Sequence, residues 1–254
     1  MKAFILELKQ RSEPLFYFGI LCLAASLICL SLTRFTATQV AGVNTWFKPF
    51  KFALSIAVYS MTMAWLVWYL PQFNRPLFSW TIILLLGFEI VYIILQAARG
   101  RQSHFNVSTS SYAFLYAMMA IAATAVAVYT AYIGVLFFTS DFPQLPSYYL
   151  WAIRLGILLF VAFSLEGFVM GSRLSHTIGA ADGGPGLPIV NWSTKYGDPR
   201  IAHFIGMHAL QVLPLASWYL LKDVKATILL GLLYGLLAIF TLIQALHGKP
   251  FYKF

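Results

Sequence analysis

Residues 200–247 read R-I-A-H-F-I-G-M-H-A-L-Q-V-L-P-L-A-S-W-Y-L-L-K-D-V-K-A-T-I-L-L-G-L-L-Y-G-L-L-A-I-F-T-L-I-Q-A-L-H. Two apolar runs flank the short polar turn Lys222-Asp223-Val224-Lys225. Each run reaches the ~20 residues a helix needs to cross a bilayer. A link so short makes the two helices antiparallel neighbours. The same reading along the chain gives an all-α integral membrane protein, one polytopic domain over 1–254. Its seven spans fall near residues 15–33, 50–70, 77–96, 112–138, 148–171, 200–221 and 226–247. Asp198 as N-cap and Pro199 at the first helical position open the sixth span, and Pro214 kinks it. Small residues in A-I-A-A-T-A-V-A let the fourth pack closely.

Composition agrees. Of 254 residues, 60% are hydrophobic and 10% charged, with a mean hydropathy of +0.78. Water-soluble domains hold about 45–50% apolar and about 25% charged residues. The net charge of +9 does not indicate nucleic acid, because the basic residues stand one to three at a time in the connections. That pattern sets topology and meets anionic headgroups, so membrane lipids are the expected partners. Cys22 and Cys29 share a helix face about 10 Å apart, beyond disulfide reach. The opening M-K-A-F-I-L-E-L-K-Q-R-S-E-P reads as a short interfacial helix before an uncleaved anchor. The tryptophans gather at span ends as an interfacial belt, and W-F-K-P-F-K reads as an interfacial anchor.

Seven crossings put the connections 34–49, 97–111 and 172–199 and the C-terminus on one side of the membrane. That side carries most of the lysines and arginines, and the positive-inside rule makes it cytoplasmic, in a cell (inner) membrane. All five histidines also fall there: His104, His176, His203, His208 and His247. Counted from the span ends, Glu89, Glu166 and His208 lie roughly 8–12 Å below that surface. A charged group at such depth costs about 2.5–3.5 kcal/mol on insertion scales, which makes it a functional-site hypothesis by default. Gln211 shares the face of His208, and Gln96 that of Glu89.

These residues suggest a polar cavity open on the basic side, with the 172–199 loop as its lid. Glu89, Glu166 and His208 are the candidate catalytic groups. Arg99, Arg101, Gln96 and Gln211 are the candidate substrate contacts, with R-G-R-Q-S-H-F-N-V-S-T-S-S suited to a phosphate, carboxylate or headgroup. Asn106 or a nearby serine would cap the fourth span. His203 and His208, five apart, point about 140° from each other, so a metal would need ligands from several helices. His203, His208, His104 and His247 are the candidate ligands, for a divalent ion or a haem. G-A-A-D-G-G-P-G-L-P lacks the P-loop lysine and reads as a compact turn. The leading expectation is a membrane-embedded enzyme acting on a lipid-like or small amphiphilic substrate. A proton-coupled transporter or a non-catalytic assembly or sensor subunit are the alternatives. Few polar residues continue across the other half of the membrane, and no inverted repeat is present, both of which weigh against a carrier.

Overall fold

The computed structural model describes residues 2–252. Its helices are α1 (Lys2–Arg11), α2 (Glu13–Leu32), α3 (Phe47–Leu66), α4 (Arg75–Ala98), α5 (Ser110–Thr139), α6 (Ser147–Arg173), α7 (Arg200–Ala216) and α8 (Val224–Leu246). Helices α2 to α8, with α3 and α7 continued by short helical turns to Tyr69 and Leu221, are long and apolar enough to span a membrane, so the chain is a multi-pass integral membrane protein. One two-residue hairpin, β1 (Gln39–Val40) with β2 (Val43–Asn44), lies between α2 and α3. Its turn residues Ala41 and Gly42 both have positive φ, as a tight hairpin turn requires. The chain divides into two compact units, 1–126 and 127–254, with the division inside α5.

In the first unit α1 is a separate helix, parted from α2 at the extended Ser12. It is held by more than an interface. The Arg11 guanidinium is buried over the Trp65 ring, 3.5 Å from its centre, donates to the Trp65 carbonyl, and pairs with Glu7 at 2.6 Å. Cation–π contact and a charge-assisted bond offset the cost of burying that charge. The 33–46 connection is tied by Asn44, whose Nδ2 donates to the carbonyls of Thr33 and Thr36. Thr45 Oγ1 donates to Ala97 O at the end of α4. There Gly100, at φ 62°, closes the helix as Arg101 N bonds back to Gln96 O. Tyr92, Ile93 and Met119 form the adjoining apolar cluster.

The second unit is built on small residues. Ala202, Gly206, Ala209 and Leu213 line the buried face of α7. A Cβ on Gly156 would come within 2.9 Å of Ala209 O, and one on Gly206 would overlap the Phe163 ring. Gly231 and Gly235 of α8, four apart, seat Leu155 and Leu159 of α6 in the same way. Tyr234 adds a hydrogen bond to Ile205 O at 2.8 Å. After Pro214 the helix opens into a wide turn over Ser217–Leu221, with Lys222 N bonding to Ser217 O. The freed Ser217 hydroxyl, fully buried, is satisfied by Tyr148 O and Thr227 Oγ1.

Two helix starts differ from the sequence expectation. The N-cap of α7 falls on Pro199, and Asp198, one residue earlier, still accepts the Arg200 N–H. Asn106 does not cap α5; its Oδ1 takes Ser108 N and Oγ, and Thr109 Oγ1 accepts from Tyr112 N. The thiols of Cys22 and Cys29 are free and buried.

The end of α6 carries a liability. Leu174 sits in the left-handed region at φ 52°, where glycine is the usual residue. Leu174→Gly should therefore stabilise the protein by about 1 kcal/mol, read as a higher thermal midpoint.

Candidate functional site

The α6–α7 seam fixes which polar groups meet. Its register follows from three glycine contacts: Gly156 on Ala209, Gly206 on the Phe163 ring, and Gly167 on His203, whose Cε1 would lie 3.4 Å from an added Cβ. In this antiparallel register Glu166 lies opposite His203. His203 Nδ1 stands 3.4 Å from Glu166 Oε2. The carboxylate is nearly sealed, with its side chain 5% exposed against 30% for His203. Among the described residues, neither Glu166 oxygen nor His203 Nδ1 has a hydrogen-bond partner. Glu166 Oε2 and His203 Nδ1 thus face each other at ion-pair range without hydrogen-bond geometry, and Glu166 Oε1 is left unmatched as well. Leaving such groups unpaired costs about 1–3 kcal/mol each, so the seam holds free energy that a proton or ligand donor would release.

His208 has a different place. Its Nδ1 lies 3.3 Å from Gln211 Oε1, and its ring packs on Phe204 at 4.3 Å between centres. Trp192 of the loop packs on Phe204 in turn, at 5.4 Å. Of the partners expected for the buried carboxylates, His208, His203 or Arg99, it is His203 that stands beside Glu166, because the glycine seam sets the register. His247 caps α8, its Nδ1 donating to Ile243 O.

The loop 174–199 is ordered by two aspartates. Asp182 accepts from Ser175 Oγ, from the backbone N–H of His176 and Thr177, and from His176 Nδ1 at 2.8 Å. Asp198 is fully buried and takes Ser193 N at 2.7 Å and the Arg200 guanidinium at 2.5 Å; Arg200 also donates to Asn191 O. Ile178 and Gly197 pair across the loop's neck, and Gly197 rests on the Ala245 carbonyl at the end of α8. Asp182 was not a sequence candidate. Its signal was the S-H-T to D spacing, which puts a carboxylate in reach of several successive N–H groups.

Burial alone would push the Asp182 carboxyl up, but the hydrogen bonds from His176 and Thr177 and the charge of His176 outweigh it and hold the carboxyl well below the usual range. A carboxyl held down in the folded loop stabilises it above the unfolded range of ~3.9, and that contribution is lost as the pH falls toward the folded value. At pH 7, Asp182→Asn should cost about 1–2 kcal/mol. The thermal midpoints of variant and wild type should converge as the pH drops below about 4.

The other candidates belong to the first unit. Glu89, Tyr92 and Gln96 are buried on one face of α4, the Tyr92 hydroxyl meets the Gln96 side chain, and Gln96 Oε1 lacks a hydrogen-bond partner among the described residues. Arg99 and Arg101 follow at its end, both exposed. The His104 ring lies in an aromatic group with Phe52, Phe105 and Tyr116, its Nδ1 3.2 Å from Ser103 Oγ. Among the described residues no three histidine, cysteine, aspartate or glutamate side chains gather in reach of one ion. The expected ligands His203, His208, His104 and His247 therefore form no such set.

Comparison of the chain with protein-family models, curated proteins and solved structures finds no match.

Proposed function

We propose that the protein is a membrane-embedded enzyme in which Glu166 and His203 form an acid–base pair acting on an amphiphilic, lipid-like substrate. The observation that carries this reading is the facing of a sealed carboxylate and an imidazole at 3.4 Å, with three acceptor-capable atoms unmatched. A substrate hydroxyl or amine is the donor that such a pair lacks. The pair takes its proton as the bond at that atom is made or broken, then returns it. The low dielectric of the seam strengthens each of these interactions. The hydrogen-bonded 174–199 loop stands at the water-facing end of α6 and α7, so an apolar substrate enters from the leaflet. His208 and Gln211 form a second polar contact on the α7 face. We place the protein in a cell (inner) membrane with the basic face cytoplasmic, following the charge bias of its connections.

The test is conversion of a total membrane lipid extract by purified protein in liposomes, followed by mass spectrometry. Wild type should deplete one lipid class, and Glu166→Gln and His203→Ala should each lower that rate about 100-fold or more while remaining folded. A folded Glu166→Gln protein that converts lipid at the wild-type rate removes the proposal.

A further inference from the structure

We infer that the first unit carries a separate ligand site, an anion-binding mouth between α4 and α5 that takes the phosphate of a phosphorylated amphiphile. An open depression of about 460 Å³ lies there, lined by Arg101, Gln102, Asn106, Ser108, Thr109 and Tyr112. No acidic side chain lines it. The turn at Gly100 swings Arg101 over the Tyr112 ring, 5.5 Å from its centre, where the guanidinium donates to the phenol oxygen. A guanidinium has five N–H groups, so donors remain for an anion. Thr109 Oγ1 accepts from Tyr112 N and keeps its own O–H to give. The first turn of α5, a helix of 30 residues, opens on the same depression and adds the positive end of its dipole.

A second observation points to a ligand longer than phosphate alone. Tyr92 and Gln96 are 6% and 1% exposed, and the Gln96 Oε1 is unmatched among the described residues. Gln96 adjoins the mouth, its backbone carbonyl taking the Arg101 N–H at 2.9 Å, and the Tyr92 hydroxyl meets the Gln96 side chain. A phenol that can donate and an amide oxygen that must accept suit the ester or hydroxyl groups next to a lipid phosphate. The phosphate takes Arg101 and the start of α5; the adjoining polar groups reach Tyr92 and Gln96. This site uses first-unit residues only and stands apart from the Glu166–His203 proposal.

Native mass spectrometry of the purified full chain in detergent tests it, with dioctanoyl phosphatidic acid, dioctanoylglycerol and inorganic phosphate as probes. Phosphatidic acid should be retained at least about tenfold better than the diacylglycerol, and Arg101→Gln should remove about that advantage. Arg173→Gln, exposed at the end of α6, should leave it intact. Tyr92→Phe should weaken phosphatidic acid severalfold, and it keeps the test open if Arg101→Gln does not fold. Displacement by millimolar inorganic phosphate would make this a site for free phosphate as well. Resistance to displacement would make it a lipid-headgroup site. Equal retention of phosphatidic acid by wild type, Arg101→Gln and Tyr92→Phe, or an equal loss in Arg173→Gln, overturns the inference.

Discussion

Glu166→Gln is expected to raise the thermal midpoint of the protein while abolishing its lipid conversion. Glutamine keeps the size of glutamate and brings an NH2 group to the position 3.4 Å from His203 Nδ1. In the Nε2–H tautomer of His203 that nitrogen is an unmatched buried acceptor, as the carboxylate oxygens are. Matching one buried polar group is worth about 1–3 kcal/mol. At about 2–4 °C per kcal/mol for a chain of this size, the midpoint should rise by several degrees. The same change removes the group that accepts and returns the proton, at an expected cost of about 100-fold in rate. A gain in stability paired with a loss of activity marks a residue kept for chemistry. A residue kept only to join two helices would lose both together. Thermal unfolding in detergent, run beside the lipid assay, separates the outcomes.

Gly206→Leu is expected to disrupt the second unit. Even a methyl group at this position would overlap the Phe163 ring, and Phe163 is itself buried. Overpacking a filled seam costs about 1–3 kcal/mol and occasionally more. Here the backbone approach of α6 and α7 is at stake, so the upper end applies. The diagnostic variant is the pair. Gly206→Ala combined with Phe163→Ala removes the overlap, and should recover much of the midpoint lost by Gly206→Ala alone. Additive losses in that double-mutant cycle would show that the two residues do not meet. Because the same register sets Glu166 opposite His203, Gly206→Ala should also lower lipid conversion more than its loss of stability explains.

The seven spans were legible because a bilayer imposes one length and one polarity on each crossing, and their ends fell within a few residues of expectation. Glu166 was legible too, since a carboxylate inside an apolar run is costly wherever it points. Its partner was legible only as one of three, His208, His203 or Arg99. Depth counted from the helix ends favoured His208, whereas the crossing is set by Gly156, Gly167 and Gly206, whose role depends on what lies across from them. Asp182 was hidden for another reason. Its surroundings, G-A-A-D-G-G-P-G, read as turn residues, and hydrogen bonds from backbone N–H groups five and six residues away leave no periodic trace. Thr109 took the cap expected of Asn106 or a nearby serine, because Asn106 and Ser108 close their own turn first.

The neck formed by Ile178 and Gly197 has one further consequence. It closes the segment between them into a ring, so the entropy of closure is met at the neck and grows only logarithmically with the chain inside it. Gly184 lies within that ring with open space around it. Additional residues inserted there lengthen the ring without pulling on Asp198, Arg200 or the α7 start. The tip is thus a place for an accessible tag, whose labelling in intact cells against opened ones would read which face of the membrane the basic connections occupy.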